Sequence, residues 1–324
     1  MVLHVLAIIG GVLALALGAD RFVSGAASLA RRLGISSLVV GLTVVSFGTS
    51  FPELLVTVTA SLMGHPHVAV GNVLGSNICN IGLILGLSSL VHPLMVNSRL
   101  LRREYPLLPV ITVFLWLLAL NGQIGRFEGF CLIAGLSLFL VFMARAAREQ
   151  NHHSRSEDMV AEPVDPARTP LRVVLGNLAA GLIILLVGSR ALVWGGVAIA
   201  HAFGISEMVI GLTLVALGTS LPELAITLAG TIKEEYDIAV GNVVGSNVFN
   251  SLGILGIPAM IRPLPVPKEA LVRDFPALLL ISLMLWPICR SWRGRPGRVN
   301  RLEGGALLGG YCLYIVVVFR ASLL

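Results

Sequence analysis

Residues 34–53 read GISSLVVGLTVVSFGTSFPE, and 170 positions later residues 204–223 read GISEMVIGLTLVALGTSLPE. Thirteen of the twenty positions are identical. The match then resumes without a gap, AVGNVLGSNICN (69–80) against AVGNVVGSNVFN (239–250), with nine of twelve identical. The identities gather on Gly, Thr, Ser, Pro, Glu and Asn rather than on Leu and Val. A duplicated packing motif would keep the apolar positions; this duplication keeps the polar ones, so it points to a shared chemical task.

Outward from the repeat, the chain is apolar throughout. Its 324 residues carry only 12% charged side chains, about half the usual share of a soluble domain, and the mean hydropathy is +0.90. Apolar runs of roughly 20 residues, enough to cross a bilayer, recur near 2–19, 38–62, 68–91, 106–121, 127–145, 173–200, 208–231, 238–261, 270–289 and 303–320. The expected fold is an all-α polytopic membrane protein. Spans one and six continue a helical pattern beyond these limits, through RFVSGAASLARRLG and ALVWGGVAIAHAFG. The first twenty residues resemble a signal-peptide core but lack a basic leader and precede many further spans, so they read as the first transmembrane helix.

The spans fall into two sets of five: 1–147, with its motif at 41–80, and 171–324, with its motif at 211–250. Five is odd, so the second set must enter the membrane from the opposite side. That is an inverted-topology repeat, an arrangement associated with secondary transporters. Between the halves, residues 148–170 are polar and hold three prolines, as expected of an exposed, mobile connector on the cytoplasmic side. Seventeen Lys and Arg fall on one set of connections, including Arg31, Arg102, Arg145 and Arg293, and five on the other. The positive-inside bias places both termini outside. The net charge of +6 is accounted for by those loops and does not imply a nucleic-acid partner. Cys79, Cys131, Cys289 and Cys312 lie within apolar runs without ligand spacing, as small core residues do.

The polar residues of the repeat fall on narrow helical stripes. Thr49 and Glu53 are four apart, as are Thr219 and Glu223, and so share a face. Asn72, Ser76 and Asn80 form a second stripe, repeated by Asn242, Ser246 and Asn250. Lipid penalises every one of these groups, so they should face the interior. Pro52 and Pro222 make spans two and seven discontinuous and free carbonyls one turn upstream, at Ser46, Phe47 and Gly48 and at Ala216, Leu217 and Gly218. The inventory is carboxylate, hydroxyl, amide and backbone oxygen. Such hard donors suit Ca²⁺, Na⁺ or Mg²⁺. Two carboxylates in low dielectric repel or take up protons unless a cation is shared between them. An empty, doubly negative site is costly to move past an apolar barrier. Reorientation only when loaded, with two cation types competing for one site, is antiport.

At these residues the chain resembles the sodium/calcium exchanger branch of the cation/calcium antiporter superfamily, whose paired alpha-repeats look like GTSFPE with GSNICN and GTSLPE with GSNVFN. The resemblance implies ten helices in two inverted five-helix repeats, exchange of several Na⁺ for one Ca²⁺ across the plasma (inner) membrane, and no cofactor. It further implies Thr49, Glu53, Ser76 and Asn80, with Thr219, Glu223, Ser246 and Asn250, as cation ligands, completed by the carbonyls of Ser46 and Ala216. Some relatives, K⁺-dependent ones included, have Asp where this chain has Asn250, so K⁺ independence is expected here. H⁺-coupled relatives tend to have Glu within a GNxxE-type motif; here GNVLG and GNVVG stand, which favours Na⁺ coupling over H⁺ coupling of divalent-cation exchange. A hydrolase is disfavoured by the absence of HExxH, GxSxG and a His-based triad. A passive channel would be excluded by coupled counterflow.

Four features have plainer readings. Gly71 and Gly75, with Gly241 and Gly245, are spaced for close helix packing. Asn77 and Asn247 lie off the stripe and read as satisfying backbone groups at a helix break. His65 and His67 form a solvated turn, and Glu234, Glu235 and Asp237 a solvated loop.

Overall fold

A computed structural model describes residues 1–96, 106–157, 170–204, 216–289 and 297–322. Side chains at 96, 149–157, 216, 286–289 and 321–322 are not among those described. The arginines at 99, 102, 103, 168, 290, 293 and 295, most of the connector and the start of span seven lie outside the described residues. Among the described residues the fold is helical apart from two short strand pairs. Among the described residues six helices are long and apolar enough to cross a membrane: Val2–Leu33 (α1), Pro66–Val91 (α4), Arg126–Arg148 within Arg126–Glu157 (α6), Leu171–Ala202 (α7), Tyr236–Ile261 (α10) and Arg301–Arg320 within Arg301–Ser322 (α12). A seventh span is a bent pair, Ser37–Thr49 (α2) and Phe51–Leu62 (α3), which meet at 44°. Leu107–Ala119 (α5) and Leu221–Ile232 (α9) are shorter and apolar. Ala216–Thr219 (α8), Phe275–Cys289 (α11) with a π-helical turn Ala270–Asp274 leading into it, and the strands Leu94–Val96 (β1), Gln123–Ile124 (β2), Leu264–Pro265 (β3) and Gly297–Val299 (β4) complete the inventory of the described residues.

The extended helical pattern of spans one and six is borne out by α1 and α7, each 32 residues long. The connector differs from expectation at its start, because α6 continues to Glu157. No proline falls between Arg126 and Glu157, and ARAAREQ is built of good helix formers.

The chain forms two compact units that cut across the sequence halves. One comprises Met1–Thr49 with Ser137–Asn242, the other Ser50–Leu136 with Val243–Leu324. In the first unit, α1 and α7 pack along their length through two glycine stripes, Gly11, Gly18, Gly25 and Gly181, Gly188, Gly195. A Cβ on Gly11 would lie 2.8 Å from the Gly188 carbonyl, and one on Gly18 would lie 2.9 Å from the Gly181 carbonyl. Seven residues forward on α1 is thus seven back on α7, so the helices are antiparallel. The 3.5-residue repeat keeps the seam continuous. Gly11 and Gly181 are also repeat equivalents, as are Gly18 and Gly188. Each contact therefore has a twin with the halves exchanged, the signature of a local two-fold relation between two copies.

The second unit shows the same reciprocity. β1, which follows α4, pairs antiparallel with β4 before α12, while β3, which follows α10, pairs with β2 before α6. Gly86 of α4 seats against Gly304 of α12, where a Cβ would lie 3.0 Å from the Gly304 carbonyl. Gly129 of α6 seats against Gly256 of α10, 2.9 Å from its carbonyl. Each half therefore lends its last span to the other half's third.

Candidate cation site

Both acids occupy equivalent positions. Glu53 lies in the first turn of α3 and Glu223 in the first turn of α9, and they are 1% and 0% exposed. The preceding breaks fall at Ser50 and Ser220, two residues before the prolines. Pro52 and Pro222 therefore sit at the second position of a new helix, where the missing N–H would have had no helical partner. The predicted discontinuity is present, displaced towards the N-terminus by that preference. A carboxylate in a first turn also lies at the positive end of the helix dipole.

In the first unit the residues converge on Asn242. Its Nδ2 donates to the Glu223 carbonyl at 3.2 Å and to Thr227 Oγ1 at 3.1 Å. Its Oδ1 accepts from Thr49 Oγ1 at 3.0 Å. Ser46 Oγ donates to the Gly41 carbonyl at 2.6 Å and lies 3.2 Å from the carbonyls of Gly241 and Asn242. These contacts require α2 and α10 to approach closely. Gly41 and Gly241 allow it: a Cβ on Gly241 would stand 3.0 Å from the Gly41 Cα. The expected close packing is thus met at Gly241. Among the described residues nothing lies within 4 Å of a Cβ built on Gly71 or Gly75; position 211, which stands to Gly71 as Gly41 stands to Gly241, lies outside the described residues.

The second unit repeats the clamp. Asn72 Nδ2 donates to the Glu53 carbonyl at 3.3 Å and to Thr57 Oγ1 at 3.0 Å. Beyond it, Asn80 Nδ2 donates to Asn247 Oδ1 at 3.1 Å, and Asn77 Nδ2 to Ser251 Oγ at 2.8 Å. Asn77 and Asn247 therefore pair with side chains and not, as expected, with backbone groups. Both α4 and α10 loosen into π-helical turns here, at Asn80–Leu85 and Phe249–Ile254, a distortion that recurs at functional sites.

Several predicted ligands have oxygens to spare. Ser76 Oγ, Asn80 Oδ1 and both polar atoms of Asn250 are buried without a hydrogen-bond partner among the described residues. Leaving one such atom unpaired costs about 1–3 kcal/mol, so the oxygens of Ser76, Asn80 and Asn250 are open to a bound cation or water, while the Asn250 N–H groups, as donors, are not cation ligands. Hard oxygen donors fit a cation transported as cargo. Ser246 is fully buried and Thr219 partly so. Of the expected free carbonyls, that of Ser46 accepts from Thr49 Oγ1 at 3.2 Å and that of Gly218 from Ser189 Oγ at 2.6 Å. Ala216 opens α8.

Thr57 and Thr227 were missed in the sequence. Their signal was present, since both stand four residues after the acid, on the same helix face, in both repeats. The loop Lys233–Asp237 is exposed to half-buried, as expected of a solvated loop, and is ion-paired to α1. Lys233 Nζ reaches Asp20 Oδ1 at 2.5 Å and Ser24 Oγ at 2.7 Å, and Arg31 lies 3.7 Å from Glu235. His65 and His67 are exposed, as expected of a turn.

Buried carboxylates on broken, repeat-related helices within a multi-pass helical bundle define a membrane cation transporter. The chain belongs to the sodium/calcium exchanger protein family, whose profile matches residues 3–145 and 173–320. It is 41% identical over 99% of its length to the inner membrane protein YrbG of Escherichia coli K12, covering 98% of that protein. It is 31% identical to the sodium/calcium exchanger MaX1 of Methanosarcina acetivorans, over 95% of this chain and 96% of that one. Its fold matches a solved structure of the sodium-calcium exchanger NCX_Mj soaked with Na⁺ and Ca²⁺, with a TM-score of 0.83, 31% identity and 98% coverage of both chains. Members of this family are antiporters, not enzymes, and this chain is a multi-pass membrane protein of the cation/calcium antiport class.

Proposed function

We propose that this protein exchanges Na⁺ for Ca²⁺ across the plasma (inner) membrane by alternating access, with ten spans arranged as two inverted five-helix repeats of 1–147 and 171–324 and both termini outside. The observation that carries the reading is the pair of buried carboxylates, Glu53 and Glu223, each at the start of a half-helix following an equivalent break. The reciprocal glycine seam of α1 and α7 and the exchanged strand pairs support the inverted repeat. Glu53 and Glu223 share one divalent ion and neutralise it together; Na⁺ replaces it only by binding in greater number. Thr49, Thr219, Ser76, Ser246, Asn80 and Asn250, with the carbonyls of Ser46 and Ala216, supply neutral oxygens. The C-terminal end of α2 adds the negative end of a helix dipole, as the broken helices of transporters do for cations. Asn250 contributes no charge, in keeping with K⁺ independence.

The test is Ca²⁺ uptake into proteoliposomes under an imposed outward Na⁺ gradient. Uptake should follow the Na⁺ gradient and be indifferent to K⁺. Uptake driven instead by an H⁺ gradient would reassign the coupling ion. Glu53→Gln and Glu223→Gln should each abolish exchange in a folded protein, because each leaves a single charge against a divalent ion. Normal transport by either variant would end the shared-acid reading.

A further inference from the structure

Asn242 makes no direct claim to be a cation ligand, since its amide is occupied on both sides. Its two N–H groups are spent on the Glu223 carbonyl and Thr227 Oγ1, and its Oδ1 on the Thr49 hydroxyl. The amide is fully buried, and these bonds fix which way it faces. A flipped amide would present N–H groups to the Thr49 hydroxyl and an oxygen to the Glu223 carbonyl, setting two acceptors against each other.

This has a consequence for Thr49. A hydroxyl carries one proton and two lone pairs. It binds a cation only through the lone pairs, so its proton must point away from the ion. Two acceptors stand within reach of Thr49 Oγ1, Asn242 Oδ1 at 3.0 Å and the Ser46 carbonyl at 3.2 Å. The Ser46 carbonyl is itself an expected cation ligand, and a ligand engaged by an ion is a poor acceptor. Asn242 Oδ1, the nearer of the two and not itself an expected ligand, is the acceptor that leaves both the Ser46 carbonyl and the Thr49 lone pairs to the ion.

We infer that Asn242 is a positioning residue for cation binding. Held by Glu223 and Thr227, it takes the Thr49 proton and turns the hydroxyl oxygen towards the ion. It also ties the end of α2 to the start of α9, so the hydroxyl of one repeat and the acid of the other are registered through one side chain. Asn72 makes the same two donor bonds to Glu53 and Thr57 and reports what the clamp alone contributes. The inference rests on the proposed role of Thr49 as a ligand.

The test is isothermal titration of the purified full chain with Ca²⁺ and, separately, with Na⁺, alongside thermal melting. N242A and T49A should each raise the half-saturating concentration of the same cation about tenfold. The double variant should be no worse than about twice the weaker single variant, because one contact is lost in each case. N72A should lower the melting temperature as N242A does, but move cation affinity less. Unchanged affinity in N242A, or losses that multiply in the double variant, would overturn the inference. If N242A does not fold, N242D keeps an acceptor for the hydroxyl, and T49A must then still weaken binding in that background; no effect there would equally overturn it. Wild-type cation binding by a folded E223Q would instead sink the underlying site reading, so the two failures are separable.

Discussion

The α1–α7 seam permits a sharp test of the fold, because two glycines of the same helix differ only in what faces them. A Cβ on Gly18 would stand 2.8 Å from the Leu185 nitrogen and 2.9 Å from the Gly181 carbonyl, both backbone atoms. Neither can rotate aside, so the helices must separate by a few tenths of an ångström along a stretch packed throughout. Overpacking of this kind costs about 1–3 kcal/mol. A Cβ on Gly10 would meet nothing within 4 Å. Gly→Ala in a helix gains about 0.5–1 kcal/mol in propensity at either position, so propensity cancels in the comparison and the packing cost remains. At about 2–4 °C per kcal/mol for larger proteins, G18A should melt about 2–12 °C below G10A. The measurement is thermal unfolding in detergent followed by intrinsic fluorescence. A Cβ on Gly181 meets the same crossing, 2.9 Å from the Gly18 carbonyl. The double variant G18A/G181A should therefore cost less than the sum of the singles, since one separation accommodates both methyls. If G18A melts with G10A, or the two losses add, the seam is not packed as described.

Two other outcomes follow from individual contacts. Ser251 stands where the first repeat has Ile81, and it is the acceptor for Asn77 Nδ2; S251A leaves that buried donor unpaired and should cost about 1–3 kcal/mol, read as a lowered melting temperature, whereas an unchanged one would show that Asn77 finds another partner. Lys233 ties the α9–α10 loop to Asp20 and Ser24 on a partly exposed face. K233M should cost at most about 1 kcal/mol, with the deficit shrinking at high salt because the pair is solvent-screened; a deficit insensitive to salt would show that the loss is one of packing and not of charge.

The polar residues of the repeat carried most of what could be learned without a structure. Identity at Gly, Thr, Ser, Pro, Glu and Asn marked the two half-helices, the buried acids and the helices carrying Ser76, Asn80 and Asn250. The reason is physical: lipid tolerates a carboxylate or an amide only where it has a use, so each such residue in an apolar run is informative on its own. Thr57 and Thr227 carried the same signal more faintly, because a threonine can bond its own helix and needs no partner to survive in lipid. The break itself was legible, but its position was not. Pro52 announces a discontinuity, and only the preference of proline for a first helical turn moves the break back to Ser50.

Spacing along one chain could not show which half meets which. The heptad of Gly11, Gly18 and Gly25 predicts a close neighbour without naming it, and the reciprocal contact with Gly181 and Gly188 emerges only when α1 and α7 pack antiparallel. In the same way the sequence divides at its repeat, while the folded chain divides elsewhere: α2 belongs with α9 and the start of α10, and α3 with α4 and the remainder of α10. Stripes on a helix are local and follow from 3.6 residues per turn. The partners of those stripes, Asn242 for Thr49 or Ser251 for Asn77, are decided by long-range packing, in which apolar area sets the approach and the glycines set how near it can come.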